Sequence, residues 1–268
     1  MKHKYFEKPT KKERVILELI YKYDFIATSN MVYLYKHPSN RHEILKKIKN
    51  KGFIERHIIS PKSNIWYLSE MGIDFLSEDF PDIDYKFSID DFEGSMLKHN
   101  SGLVNIELFY NEYKQSRPDL KRFFCEKEVV SIFNGNRRLI KQDSASFFRI
   151  PDLMFKYESS QFKKELNFVI ELELSLKSKK RYHDIFYFYK FSEYVGRVYW
   201  VCADEKFKLK LIDIFKTLYQ KNLDRIVLTE GRNEYYMERV LKLHYFIEQK
   251  TFLKYGFNKS KRLIDFID

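Results

Sequence analysis

Residues 40–56, NRHEILKKIKNKGFIER, decide the fold of the first part of this chain. The apolar residues Ile44, Leu45 and Ile48 recur at the spacing of one helical face, while the other positions are polar and rich in lysine. Gly52 ends the helical pattern, and an apolar pair then begins a strand. The stretch therefore predicts an amphipathic helix with a basic outer face that leads directly into a strand.

Similar patterns extend outward from this stretch in both directions. In chain order the sequence predicts helices over Lys11–Tyr23, Thr28–Tyr35 and Asn40–Lys51, followed by strands over Phe53–Ser60 and Ile65–Leu68. Three helices followed by a strand pair resemble the winged helix-turn-helix class, over about residues 1–76. The resemblance implies that the third helix enters the major groove of duplex DNA while the strand pair, the wing, lies along the adjacent backbone.

The resemblance also indicates which side chains contact DNA. The candidates on the third helix and at the wing tip are Asn40, Arg41, His42, Lys46, Lys47 and Lys62. The first three lie at the N-terminal end of the helix, where bases are usually contacted, and Lys62 is a candidate for a phosphate contact. The alternative is a solvated basic face on a winged helix that binds another protein.

Composition favours a polyanionic partner. The chain has 49 Lys and Arg against 38 Asp and Glu, a formal net charge of +11, and each cation set against a phosphate releases condensed counterions. No apolar run is long enough to span a membrane, and the opening MKHKYFEKPTKKER lacks the apolar stretch of a signal peptide. We therefore expect a cytoplasmic protein whose two cysteines, Cys125 and Cys202, are buried thiols.

The remainder of the chain predicts a second, mixed α/β domain. Residues 77–93 are acidic and contain proline, which indicates a linker, and residues 251–268 form a basic tail. Between them, over 94–250, the pattern predicts a long helix over Gly94–Ser116 and then alternating strands and helices. The strands are Phe123–Ile132, Ile150–Tyr157, Phe168–Leu174, Arg197–Ala203 and Arg225–Thr229, and the helices are Ser178–Tyr194, Lys206–Tyr219 and Glu234–Gln249.

Three carboxylates on two of these strands are the candidates for chemistry. Glu171 and Glu173 are two residues apart in a strand and therefore share one face, and Asp152 follows Pro151 on the preceding strand. Burying neighbouring carboxylates is costly unless a cation neutralises them, and a divalent metal is one such cation.

The pattern around these residues resembles that of the PD-(D/E)XK nuclease superfamily. Over about residues 11–230 the chain is similar to replication-relaxation proteins and MOBC-type plasmid relaxases. The matching motifs are Pro151-Asp152, Glu171-x-Glu173 and Lys190-x-x-x-Tyr194. The resemblance implies a restriction-endonuclease-like mixed sheet on which Asp152, Glu171 and Glu173, with Glu107, hold Mg²⁺ or Mn²⁺. It further implies DNA nicking at a plasmid transfer or replication origin, with relaxosome or replication proteins as partners.

One departure from the family keeps a second hypothesis open. The position that usually holds the superfamily lysine is Glu173, so Lys190 or Lys177 would have to supply the ammonium group. Without it, the chain would be a non-catalytic DNA-binding protein on a degenerate nuclease fold, acting as a replication initiator, accessory factor or transcriptional regulator. In that case Glu171 and Glu173 would pair with cations of the adjacent helix, and Asp152 would cap a turn.

Overall fold

A computed structural model describes residues 7–61, 63–81, 85–135, 150–159, 164–192, 195–226, 238, 240–262 and 265 of the chain. It is a mixed α/β protein that divides into two units, Met1–Phe109 and Tyr110–Asp268. The division falls within one helix, Gly94–Tyr113, and not in the acidic segment 77–93 that composition indicated as a linker. Within the described part of the chain, no helix is both long and apolar enough to cross a membrane.

The N-terminal unit contains one small sheet and four α-helices among its described residues. The elements are α1 (Lys11–Tyr23), β1 (Phe25–Ala27), a 3-10 turn (Thr28–Tyr33), α2 (Pro38–Asn50), β2 (Ile54–Ser60), β3 (Ser63–Leu68), α3 (Glu70–Ser77) and α4 (Gly94–Tyr113). The strands form an antiparallel sheet in the order β1-β3-β2. Helix α1 begins at the predicted capping box, in which Thr10 and Glu13 satisfy each other's backbone N–H groups. Gly52, after α2, has a φ of 90°, a conformation that favours glycine.

The short helix predicted over Thr28–Tyr35 is present as the 3-10 turn Thr28–Tyr33, which ends two residues earlier than predicted. Here the short polar side chains of Thr28 and Asn30 form hydrogen bonds that compete with those of an α-helix. The Asn30 side chain accepts from the backbone N–H of Ala27 at 2.8 Å, and the indole of Trp66 donates to the Thr28 hydroxyl at 2.9 Å. The turn is therefore fixed by side chains rather than by a continued helical ladder.

The segment after α3 packs against the N-terminal unit. Tyr85 stacks on Tyr21 with ring centroids 5.8 Å apart, and its hydroxyl donates to the Asp24 carbonyl at 2.6 Å. Phe87 and Phe92 both contact the ring of Phe25. The aromatic residues scattered among the acidic ones thus bury the segment, which net composition alone did not indicate.

The second unit contains the larger sheet. Its elements are β4 (Leu120–Cys125), α5 (Glu126–Gly135), β5 (Leu153–Ser159), β6 (Lys164–Glu173), α6 (Lys179–Phe191), β7 (Val195–Cys202), α7 (Glu205–Ile226), β8 (His244–Glu248), α8 (Gln249–Tyr255) and β9 (Lys261–Arg262). The six strands lie in the order β4-β5-β6-β7-β8-β9. Strands β6, β7 and β8 are parallel, and the other neighbours are antiparallel.

One face of this sheet packs on helices α6 and α7 to form a core. The cluster includes Val169 and Trp200 from the strands, Tyr189 from α6 and Phe215 from α7, all buried. Cys125 and Cys202 are buried free thiols, which confirms the expectation for the cysteines. The two charged residues Glu171 and Glu173 share the face of Val169, because residues two apart in a strand point the same way.

Two predictions for this unit are wrong in part. The strand predicted over Phe123–Ile132 ends at Cys125, and α5 follows because Glu128 accepts from the Cys125 N–H at 2.9 Å and so starts a helix. The end of the helix predicted over Glu234–Gln249 is strand β8, whose buried residues fill a parallel position beside β7.

The tail and the last predicted strand also differ from expectation. Residues 249–262 form α8, a 3-10 turn (Gly256–Lys259) and edge strand β9, and Phe252 is fully buried, so this part of the basic tail belongs to the fold. Of the strand predicted over Arg225–Thr229, the first two residues end helix α7, and the others lie outside the described residues.

Candidate functional site

The outer face of α2 carries three lysines without carboxylate partners among the described residues. Lys46, Lys47 and Lys49 are exposed, and none of them pairs with a carboxylate among the described residues, whereas Leu45 and Ile48 on the inner face are fully buried. Ammonium groups without acidic partners are available to an anionic ligand. We call Lys46, Lys47 and Lys49 the α2 lysines.

The next lysine along the chain behaves differently. Lys51 follows α2, and its ammonium contacts Glu13 at 2.8 Å and Glu7 at 3.1 Å. Glu13 is almost completely buried, and Lys51 and the Thr10 N–H hold its pKa below the usual range against the opposing effect of burial. Lys51 is therefore an internal partner of α1.

Arg41, predicted to contact DNA, is tied to the loop before α2. Its guanidinium donates to the carbonyl oxygens of Tyr35 at 2.7 Å and Lys36 at 2.6 Å. These bonds fix the loop conformation at the start of the helix, which orients the helix itself. Asn40 beside it is exposed, and Lys62 lies outside the described residues.

His42 and Arg56 meet over the indole of Trp66. The His42 ring lies edge-on to the Trp66 ring at 5.9 Å, and the Arg56 guanidinium lies 5.8 Å from the centre of the same ring. Burial, and then the charges of Lys46 and Arg56, lower the pKa of His42, so its imidazole is neutral at pH 7. Arg56 was not among the predicted contacts, although period-two alternation in β2 places it on the face of Ile54 that packs toward α2.

Glu171 and Glu173 lie on one face of β6, and Asp152, the residue before β5, lies beside that strand. Leu153 is registered opposite Ile170, which sets Asp152 opposite Glu171 at the start of the antiparallel pair β5 and β6. One Asp152 oxygen accepts from the backbone N–H of Leu172 at 2.7 Å. The side chain of Asp152 therefore extends the ladder between the two strands.

The two glutamates are fully buried, and each has donors beneath helix α6. The hydroxyl of Tyr189 donates to Glu171 in a short hydrogen bond. Lys177 contacts Glu173 at 2.8 Å, and the Tyr182 hydroxyl donates to the other Glu173 oxygen at 3.3 Å. Burial and the charge of Glu173 raise the pKa of Tyr182, so that hydroxyl stays protonated and can donate. Neither tyrosine was among the predicted site residues, although their seven-residue spacing on α6 puts them on one helical face.

Both glutamates already have donors in this structure. A cation held here would share the carboxylate oxygens with the Tyr189 hydroxyl at Glu171 and with the Lys177 ammonium at Glu173. No group of three or more His, Cys, Asp or Glu residues in the described part of the chain is arranged to hold a metal ion. Lys190 lies in helix α6, and its side chain is outside the described residues.

Glu107, the fourth predicted ligand, has its partners within the N-terminal unit. One of its oxygens contacts the Lys22 ammonium at 3.0 Å, and the other accepts from the Tyr23 hydroxyl at 2.6 Å. Glu107 is 5% exposed, so this pair is nearly withdrawn from solvent. Both bonds attach helix α4 to helix α1.

Comparisons of the chain with protein-family models, with curated proteins and with solved structures found no match. The function therefore has to be inferred from the residues and their geometry.

Proposed function

We propose that this protein binds duplex DNA through helix α2 and the β2–β3 hairpin. The observation that carries the proposal is the set of three exposed α2 lysines without acidic partners, in a unit where Lys22 and Lys51 are paired. A polyanion would neutralise the free set and leave the paired set undisturbed. The net charge of +11 supports the same class of ligand.

The local architecture supports insertion of α2 into a groove. The order α1, β1, 3-10 turn, α2, β2, β3 is that expected of a winged helix, with α2 as the recognition helix and the β2–β3 hairpin as the wing. In this proposal Asn40, Lys46 and Lys47 face the DNA, and Arg56 joins them from the hairpin. Arg41 acts indirectly, because its guanidinium holds the preceding loop.

The salt dependence of binding tests this proposal. Anisotropy of a labelled duplex should show an affinity that falls steeply with salt concentration, and the double variant Lys46→Ala/Lys47→Ala should reduce the slope of log K against log[salt] by about 2. The matched control is Lys12→Ala, which removes an exposed lysine from α1. A slope that is the same in wild type and double variant would overturn the assignment of α2, and a duplex affinity too weak to measure at low salt would overturn DNA binding.

Metal-dependent DNA nicking is a second candidate. The observation in its favour is that Glu171 and Glu173 share one face of β6, with Asp152 bonded to the same strand and Lys177 against Glu173. Supercoiled plasmid incubated with Mg²⁺ or Mn²⁺ would be converted to open circles, and Asp152→Ala would abolish the conversion. The partners that already occupy these carboxylates favour the alternative, a DNA-binding protein in which the same residues stabilise the fold.

A further inference from the structure

The face of the large sheet opposite the buried glutamates carries an arginine in an unusual position. Arg197 lies near the start of β7, a central strand with β6 on one side and β8 on the other, yet its side chain is exposed. Arg197 is paired in register with Phe168 of β6. Because successive residues of a strand point to opposite faces, Phe168 and Arg197 lie on the face away from Val169 and helix α6. Phe168 and Tyr199 beside it on this face are buried, so Arg197 is the exposed member of an otherwise covered part of the sheet.

Aromatic rings hold the Arg197 guanidinium in place. Its central carbon lies 5.0 Å from the ring centre of Phe168 and 5.1 Å from that of Tyr245, and one of its N–H groups donates to the Tyr199 hydroxyl at 3.2 Å. A guanidinium stacked on rings keeps its planar fork oriented, so little side-chain freedom is lost when an anion binds.

A bulge directs Arg197 to this face. Asn167 pairs with Val195 and Phe168 with Arg197, which leaves Gly196 as an extra residue in β7. Bulges change the direction of neighbouring side chains and are common beside functional sites. A Cβ atom at Gly196 would lie 3.0 Å from the Phe168 ring, so a larger residue would push against the ring that supports the arginine.

The Arg197 guanidinium has no carboxylate partner within the described ranges, in contrast to Arg117 and Arg262, which pair with Asp119 and Asp265. The groups around it are the phenols of Tyr157, Tyr199 and Tyr245. A partly enclosed cation without a counter-ion is set up to bind an anion.

The rings beside Arg197 indicate which anion. Tyr157 lies parallel to Phe168 with centroids 4.9 Å apart, and both Tyr157 and Tyr245 are partly exposed at the edge of the cluster. Exposed aromatic rings stack on unpaired bases, whose faces are hidden in a duplex. We call Tyr157, Phe168, Arg197 and Tyr245 the Arg197 platform.

We propose that the Arg197 platform binds single-stranded nucleic acid, with a backbone phosphate on Arg197 and unpaired bases stacked on Tyr157 and Tyr245. This site is on the C-terminal unit and is independent of the α2 lysines proposed to bind duplex DNA. The chain would then have a duplex site and a single-strand site on separate units.

Binding of a labelled oligothymidine of about 12 nucleotides to the full chain tests the proposal, because thymine stretches form no duplex. We expect Arg197→Ala and Tyr245→Leu each to weaken oligothymidine binding about tenfold while duplex affinity stays within about twofold, since stacking contributes roughly 1–3 kcal/mol per base. Lys46→Ala/Lys47→Ala should show the opposite pattern. The matched control is Arg181→Ala, an exposed arginine on α6, the helix that covers the other face.

Two results would overturn the platform. One is oligothymidine affinity that is unchanged in Arg197→Ala; the other is a loss of affinity in Arg197→Ala that is equal for duplex and oligothymidine, which would identify a general phosphate site. If Arg197→Ala fails to fold by circular dichroism, Arg197→Lys replaces it, because it keeps the charge and removes the stacked plane. An unchanged oligothymidine affinity in Arg197→Lys and Tyr245→Leu together would also reject the proposal.

Discussion

The α2 lysines and the β6 glutamates present opposite arrangements of charge. Lys46, Lys47 and Lys49 are exposed and have no acidic partners within the described residues, whereas Glu171 and Glu173 are buried and accept hydrogen bonds from Tyr189, Tyr182 and Lys177. In the sequence, both sets are groups of like charge within a few residues of each other. The difference teaches that burial and available donors, rather than charge pattern, decide whether a set of charges is free to bind a ligand.

The largest expected effect compares a paired lysine with a free one in the same unit. Lys22→Met leaves Glu107, 5% exposed, without its cation, so the free energy of unfolding should fall by about 3 kcal/mol. Lys46→Met removes an exposed charge and should change stability by less than about 0.5 kcal/mol. Urea denaturation measures both, and equal effects of the two variants would show that partnering does not distinguish these lysines.

A smaller effect is expected at the buried glutamates. Tyr189→Phe removes the hydroxyl that donates to Glu171, and the free energy of unfolding should fall by about 2 kcal/mol, because a buried acceptor left without its donor costs roughly 1–3 kcal/mol. A double-mutant cycle with Glu171→Gln isolates the coupling between the two side chains. Stabilisation of wild type by Mg²⁺ that disappears in Glu171→Gln would instead favour a metal site.

The stability of the chain at acid pH tests a third ion pair, between Lys208 and Glu248. Burial opposes ionisation of Glu248, but hydrogen bonds from its neighbours and the charge of Lys208 prevail and lower its pKa to about 2 from 4.5. Because the folded pKa lies below the unfolded one, this stabilisation is present above pH 4.5 and is lost as the pH falls toward 2. Lys208→Met should therefore be less stable than wild type by about 1.5 kcal/mol at pH 7 and by much less near pH 2.5. A stability difference independent of pH would contradict this.

The smallest effect separates orientation from contact at the start of α2. Arg41→Ala removes two bonds to the carbonyls of the preceding loop and should lower stability by about 1 kcal/mol. Asn40→Ala should leave stability nearly unchanged and alter the preference among duplex sequences. Denaturation and a competition assay with mixed duplexes measure the two quantities, and a change of sequence preference in Arg41→Ala without loss of stability would assign base contact to Arg41.

Much of the N-terminal unit could be predicted because its signals are local. The capping box at Thr10, the inner face of α2 and the stop at Gly52 depend on residues within one or two turns of each other. The 3-10 form of the helix at Thr28 was not predicted, because Trp66, far along the chain, helps to fix it. Strand β8 was missed for the same kind of reason, since β7 beside it decides its conformation, whereas α5 was missed although its signal, Glu128 at the Cys125 N–H, is local.

The candidate site residues were likewise predicted where the signal is local in the sequence and missed where it is not. Strand alternation correctly placed Glu171 and Glu173 on one face, but it could not show that Tyr189 and Tyr182 would approach from helix α6. Arg197 gave no signal at all, because Phe168 and Tyr245, which flank it, belong to strands on either side of it.

The sequence by itself determined the mixed α/β class, the basic amphipathic helix and the shared face of two glutamates, because these follow from charge and from periods of 3.6 and 2 residues. Only the tertiary structure decided which charges have partners. A partner is brought close by packing between segments that are distant in the chain, as Lys22 and Glu107 are. No periodicity along the chain encodes that contact.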